Sequence, residues 1–137
     1  MNLLGNLMSP PLAGRSEPYG ILTSVMTDSL LDKYPGASMN PNFFTIGHEE
    51  NTHSSNYQNP TRQDYIMYWS SSEVDMCTQD FSLHPDIKTR DSDGKLISLS
   101  NHEGVTAEFK IRKKQQQQET DVPFCEKNTL YKPGMVW

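Results

Sequence analysis

Apolar positions in this chain of 137 residues come in short groups, and the period changes from one group to the next. Leu3, Leu4, Leu7 and Met8 are spaced for one or two helical turns before Pro10 and Pro11, which predicts an N-terminal arm over 1–16. A longer helical period covers 17–34, where Leu22, Val25, Met26, Ser29, Leu30 and Lys33 share a face flanked by Ile21 and Leu31. Ser16 is placed to cap it, Pro18 suits its first turn, and Tyr34-Pro35-Gly36 ends it. Strict alternation appears only late: Val105, Ala107, Phe109 and Ile111 interleave with Thr106, Glu108, Lys110 and Arg112. That pattern predicts a strand, and with 95–100 and a loop at 101–104 it predicts a β-hairpin within 95–114.

Between these elements the chain reads as polar and turn-rich. The segment 35–60 is expected to be a connection, with turns at Asn40-Pro41 and Asn59-Pro60 and with Phe43, Phe44 and Ile46 as isolated apolar anchors. Aromatics are densest over 56–69, NYQNPTRQDYIMYW, which contributes Tyr57, Tyr65, Tyr68 and Trp69. A helix would put Tyr65, Tyr68 and Trp69 on one face, whereas an extended strand would oppose Tyr65 and Met67 to Ile66 and Tyr68. The pattern does not choose between them. An aromatic anchor segment with turns is expected over 61–94, continuing through singly spaced Val74, Met76, Phe81 and Leu83, and 115–137 forms a polar-to-apolar tail ending at Trp137.

Composition pushes the expectation further from a packed domain. Leu, Ile, Val and Phe make up about a fifth of the chain, and mean hydropathy is −0.70. Ordering each residue costs roughly 1–2 kcal/mol of backbone entropy, which so few large apolar side chains offset poorly. The expected fold is therefore a mostly irregular, extended chain with one N-terminal α-helix, a candidate C-terminal β-hairpin and little core of its own. A formal charge of −5 is too small to drive disorder by repulsion. Cys77 and Cys125 are too few for a disulfide framework and are expected to be free thiols in a reducing, intracellular compartment. The N-terminus lacks the basic and apolar regions of a signal peptide, and no run is long enough to span a membrane.

Candidate chemistry is sparse. His48, Glu49, Glu50 and His53 share a loop, but the histidines are not at the i, i+4 spacing of a helical zinc pair. Asp91-Ser92-Asp93-Gly94 matches part of a calcium loop. Thr89 and Ser100 then occupy positions that need carboxylates, so the stretch is read as a tight turn. Cys77 and His84 are near each other in sequence, with no orienting third group or oxyanion site in view. The cations Lys110, Arg112, Lys113 and Lys114 lack the interleaved aromatics of a nucleic-acid surface. No phosphate-binding, nucleophile-elbow or CxxC motif occurs, so neither cofactor, metal nor enzymatic activity is expected.

Tyrosine and tryptophan combine large contact area with a polar handle and dominate interface hot spots. Tyr57, Tyr65, Tyr68, Trp69, Phe43, Phe44 and Trp137 are accordingly the candidate partner-binding residues. In texture the chain resembles the small microtubule inner proteins of cilia and sperm flagella, through Asn56-Tyr57-Gln58-Asn59-Pro60, Asp64-Tyr65-Ile66-Met67-Tyr68-Trp69 and Asn128-Thr129-Leu130-Tyr131. The resemblance implies a non-enzymatic structural protein of the axoneme, ordered on tubulin and neighbouring axonemal proteins in the cytoskeleton of a cilium or flagellum. The alternative is a small intracellular regulatory adaptor with a helix-plus-hairpin module and recruiting tails.

Overall fold

The computed structural model describes residues 2–7, 17–48, 51–53, 60–84, 87–114 and 124–126. Strands dominate, which overturns the expectation of a mostly irregular chain with one helix and little core. In order they are β1 (Asn2–Asn6), β2 (Thr27–Asp28), β3 (Asp64–Tyr68), β4 (Val74–His84), β5 (Lys88–Arg90), β6 (Leu96–Ser98) and β7 (Gly104–Lys113). Two short helices, α1 (Pro18–Thr23) and α2 (Ser29–Lys33), flank β2, and single 3-10 turns cover Ala37–Met39 and Pro41–Phe43.

The aromatic stretch supplies the centre. Strand β3 lies between β1 and β2 and is antiparallel to both. Tyr65, Ile66, Met67 and Tyr68 are all buried, so both faces of the strand are covered. On one face Tyr65 and Met67 pack with Tyr19, Leu7, Leu22 and Met26. On the other, the Tyr68 ring meets Phe109 of β7 edge-on at 5.2 Å between centroids. A strand covered on both faces reads as a continuous apolar run, which is why its alternation was uninformative.

The predicted helix over 17–34 is broken by tertiary demands. Thr27 and Asp28 pair with Tyr68 and Met67 of β3. Asp28 then caps α2 by accepting from the Leu30 amide at 3.1 Å, an N-cap in the middle of the expected helix. Thr23 and Ser24 donate to the carbonyls of Tyr19 and Ile21, the local side-chain bonding that weakens helix propagation. The N-terminal arm is likewise recast, since 2–6 form a strand where helical turns were expected.

Strand β7 forms as the alternation predicts, yet with a different partner. It pairs with β4 from Val74↔Lys113 to His84↔Gly104, with a register shift between Thr78 and Asp80. The segment expected to be its hairpin partner pairs instead with β5, through Lys88↔Ser98 and Arg90↔Leu96. The Asp-Gly turn closes that hairpin: Gly94 adopts φ 76 and donates to Asp91. A second apolar cluster of Leu30, Ala37 and Phe81, joined by Phe43, Tyr34, Val105 and Ala107, ties α2 to the β4–β7 ribbon.

Cys77 and Cys125 form a disulfide, which corrects the expectation of free thiols and fastens 124–126 against the ribbon. Phe124 lies under the Arg112 guanidinium at 4.2 Å, and Arg112 and Lys114 both reach Asp75. The basic patch is thus partly neutralised by its own strand partner. The cysteines therefore give no argument for a reducing compartment. No helix among the described residues is long and apolar enough to cross a membrane.

Candidate acid–base site

Two carboxylates near β3 each hold a basic side chain, and they do so in different surroundings. Asp28 forms an ion pair with Arg62 in which both side chains are almost wholly buried. Tyr19 Oη donates to the same carboxylate at 2.7 Å. The Arg62 guanidinium stacks on the Tyr65 ring at 4.5 Å and lies 5.9 Å from that of Tyr19, while Tyr65 Oη donates to the Arg62 carbonyl. Burial, helped by the charge and hydrogen bond of Asp28, pushes the Tyr19 phenol well above its ordinary value. Burial also pushes Tyr65 up to about 12, against the opposing pull of Arg62. Nothing in this cluster is open to a ligand.

The second carboxylate is Asp64, the first residue of β3. Its Oδ2 lies 2.6 Å from Nδ1 of His102, which precedes β7, and the two side chains keep 19% and 20% of their surface exposed. Since a carboxylate accepts, Nδ1 is the donor in this contact and proton exchange falls to Nε2. His102 lines a cavity of about 200 Å³ together with Asn51, His84, Ile87, Leu99 and Glu103.

The scaffold around the pair is built from backbone hydrogen bonds. Ile46 makes isolated antiparallel bridges to Thr61 on one side and to His102 on the other. The Glu103 amide donates to the Thr45 carbonyl at 2.8 Å, and the Gln63 and Asp64 amides donate to the Thr45 hydroxyl at 3.0 and 3.2 Å. Buried Asn51 donates through Nδ2 to the Ser100 carbonyl and to Glu103 Oε1, each at 3.0 Å. Residues 45–48 and 51, expected to belong to a polar connection, help join the start of β3 to the start of β7.

The partner-binding candidates are distributed quite differently. Tyr65 and Tyr68 are each 3% exposed and belong to the protein's own interior. Tyr68 donates to Asp32 at 2.5 Å, and burial, then that bond, raise its phenol far above the ordinary value. Phe43 stacks on Tyr34, and Phe44 lines a pocket of about 310 Å³ with Pro41, Gly47, His48 and Pro60. Trp69 is the outlier at 43% exposure. Tyr57 and Trp137 lie outside the described residues. Cys77, the one nucleophile weighed from sequence, is tied up in its disulfide, and His84 contacts the Thr106 hydroxyl instead.

Sequence reasoning did not single out Asp64 or His102. The available signal was their placement, a carboxylate opening one apolar strand and a histidine just before another. Comparison of the chain with protein-family models, with curated proteins and with solved structures finds no match.

Proposed function

We propose that this protein is an acid–base hydrolase in which His102, oriented by Asp64, activates water against an ester held in the adjoining cavity. The observation that carries this reading is the 2.6 Å contact between His102 Nδ1 and Asp64 Oδ2 at the wall of an open cavity. A carboxylate on one imidazole nitrogen fixes the tautomer and the ring plane and stabilises the imidazolium that forms when the other nitrogen takes a proton. In the step envisaged, Nε2 removes a proton from water as its oxygen attacks the ester centre. The imidazolium then returns that proton to the departing alkoxide, so the histidine ends as it began. The expectation of a non-enzymatic protein rested on the absence of catalytic motifs and on a Cys77–His84 pair without an orienting group or oxyanion site. Support for the enzymatic reading is the carboxylate that Asp64 brings to a different histidine, 38 residues away.

The test is release of p-nitrophenolate by the full chain from p-nitrophenyl acetate, p-nitrophenyl phosphate and bis(p-nitrophenyl) phosphate. Turnover above the buffer rate on one of the three, reduced about 100-fold or more in His102→Ala and Asp64→Asn with circular dichroism unchanged, is the expected result. Equal rates for wild type and His102→Ala on every substrate would end the proposal.

A second reading keeps a role on a large protein assembly, with a ciliary or flagellar microtubule as the case implied by the sequence texture. Its support is the exposure of Trp69 at the end of β3, since an aromatic anchor left in solvent suits a protein interface. Co-sedimentation with microtubules that is lost in Trp69→Ala favours it; no co-sedimentation removes it.

A further inference from the structure

We infer that Thr45 is the positioning residue of the His102–Asp64 pair, an assignment that rests on the hydrolase reading for its catalytic meaning. Thr45 is fully buried and touches both arms of the site through different atoms. Its hydroxyl oxygen accepts from the amides of Gln63 and Asp64, which fixes where the backbone of the carboxylate begins its strand. Its carbonyl accepts from the amide of Glu103, the residue directly after His102. The Thr45 amide in turn donates to Thr61 at 3.0 Å, in the same turn that leads into Asp64.

Asp64 and His102 sit in segments that are not neighbours in one sheet. Strand β3 pairs with β1 and β2, while β7 pairs with β4, so the two share no sheet, and the isolated bridges of Ile46 to Thr61 and to His102 link their approaches. A 2.6 Å contact between two half-buried side chains needs both backbones held to a few tenths of an ångström. Thr45 adds the side-chain part of that constraint, because its buried hydroxyl and its carbonyl each grip a different arm. The residue type follows from the chemistry. Valine has the same shape with no acceptor, and it would leave the part-buried amides of Gln63 and Asp64 without that bond. Serine keeps the oxygen.

The test compares Thr45→Ser, Thr45→Cys and Thr45→Val in the full chain by two readouts. One is the low-field proton resonance of the short His102–Asp64 hydrogen bond, identified by its loss in Asp64→Asn. The other is kcat and KM for whichever chromogenic ester the wild type hydrolyses. Serine should retain the resonance and stay within about threefold of wild-type kcat. Valine should lose the resonance and about 100-fold in kcat with KM little changed, as expected when reacting groups are misplaced by a fraction of an ångström. Cysteine, a weak acceptor in the same place, should fall between them and carries the comparison if the valine variant does not fold. A folded valine or cysteine variant that keeps both the resonance and full kcat overturns the assignment, as does a wild type with no such resonance. If the resonance follows the series but no ester is hydrolysed, the positioning role stands and the hydrolase reading fails.

Discussion

Asp28 and Asp64 are two answers to one problem, a carboxylate held against a cationic or protonatable side chain at the edge of β3. Asp28 faces Arg62, which cannot give up its proton, and both are sealed beneath Tyr19 and Tyr65. Asp64 faces an imidazole, both side chains remain about a fifth exposed, and His102 lines a cavity. Partner and burial together separate the structural pair from the one suited to chemistry. An ion pair that is dry and permanently charged can only be kept or broken.

The largest effect should come from making the same substitution at both sites. Asp28→Asn leaves the Arg62 charge buried without its counterion and should cost about 3–5 kcal/mol of unfolding free energy in a urea titration. Asp64→Asn, at a pair left about a fifth exposed to solvent and without a buried guanidinium to strand, should cost less, about 1 kcal/mol, while abolishing most turnover. Equal destabilisation by the two would erase the distinction.

Reducing the Cys77–Cys125 disulfide, or Cys125→Ser, tests a constraint far from both pairs. The bridge spans 48 residues, and its loss should lower stability by about 2–4 kcal/mol, with no further loss when the serine variant is treated with a thiol. Tyr68→Phe removes a donor to Asp32, which still accepts from the Thr78 amide. Its expected cost is about 1.5–3 kcal/mol by the same titration.

Alkaline pH probes the buried cluster more gradually. The phenols of Tyr19, Tyr65 and Tyr68 are raised in the folded protein above the ordinary value near 10, Tyr65 to about 12. Between the unfolded and folded values the native state holds more protons, so stability falls as pH rises. The contribution is complete below about pH 10 and is lost as pH climbs through 12 and beyond. Absorbance of tyrosinate followed alongside circular dichroism should show the three phenols ionising with unfolding. Free titration near pH 10 in a folded protein would contradict their burial.

Parts of this were legible in the sequence. The alternation over 105–111 is a half-buried strand, and it forms; the Asp-Gly dipeptide is a hairpin turn, and Gly94 takes the left-handed conformation there. Pro18 opens a helix. The aromatic density around Tyr65 and Tyr68 marked a place of large burial, although a polar composition suggested that a partner would provide the cover. The cover is internal instead: Tyr19, Met26, Phe109 and the α2 segment supply it from both ends of the chain.

What local sequence fixes here is each segment's period and its turns, because those depend on side-chain spacing and on backbone sterics within a few residues. Tertiary structure alone decided which strand pairs with which, that Asp28 would interrupt a helix to meet Arg62, and that Asp64 would face His102 across the Thr45 splint. Those outcomes depend on hydrogen bonds and charges between residues tens of positions apart, and spacing along a chain carries no record of them.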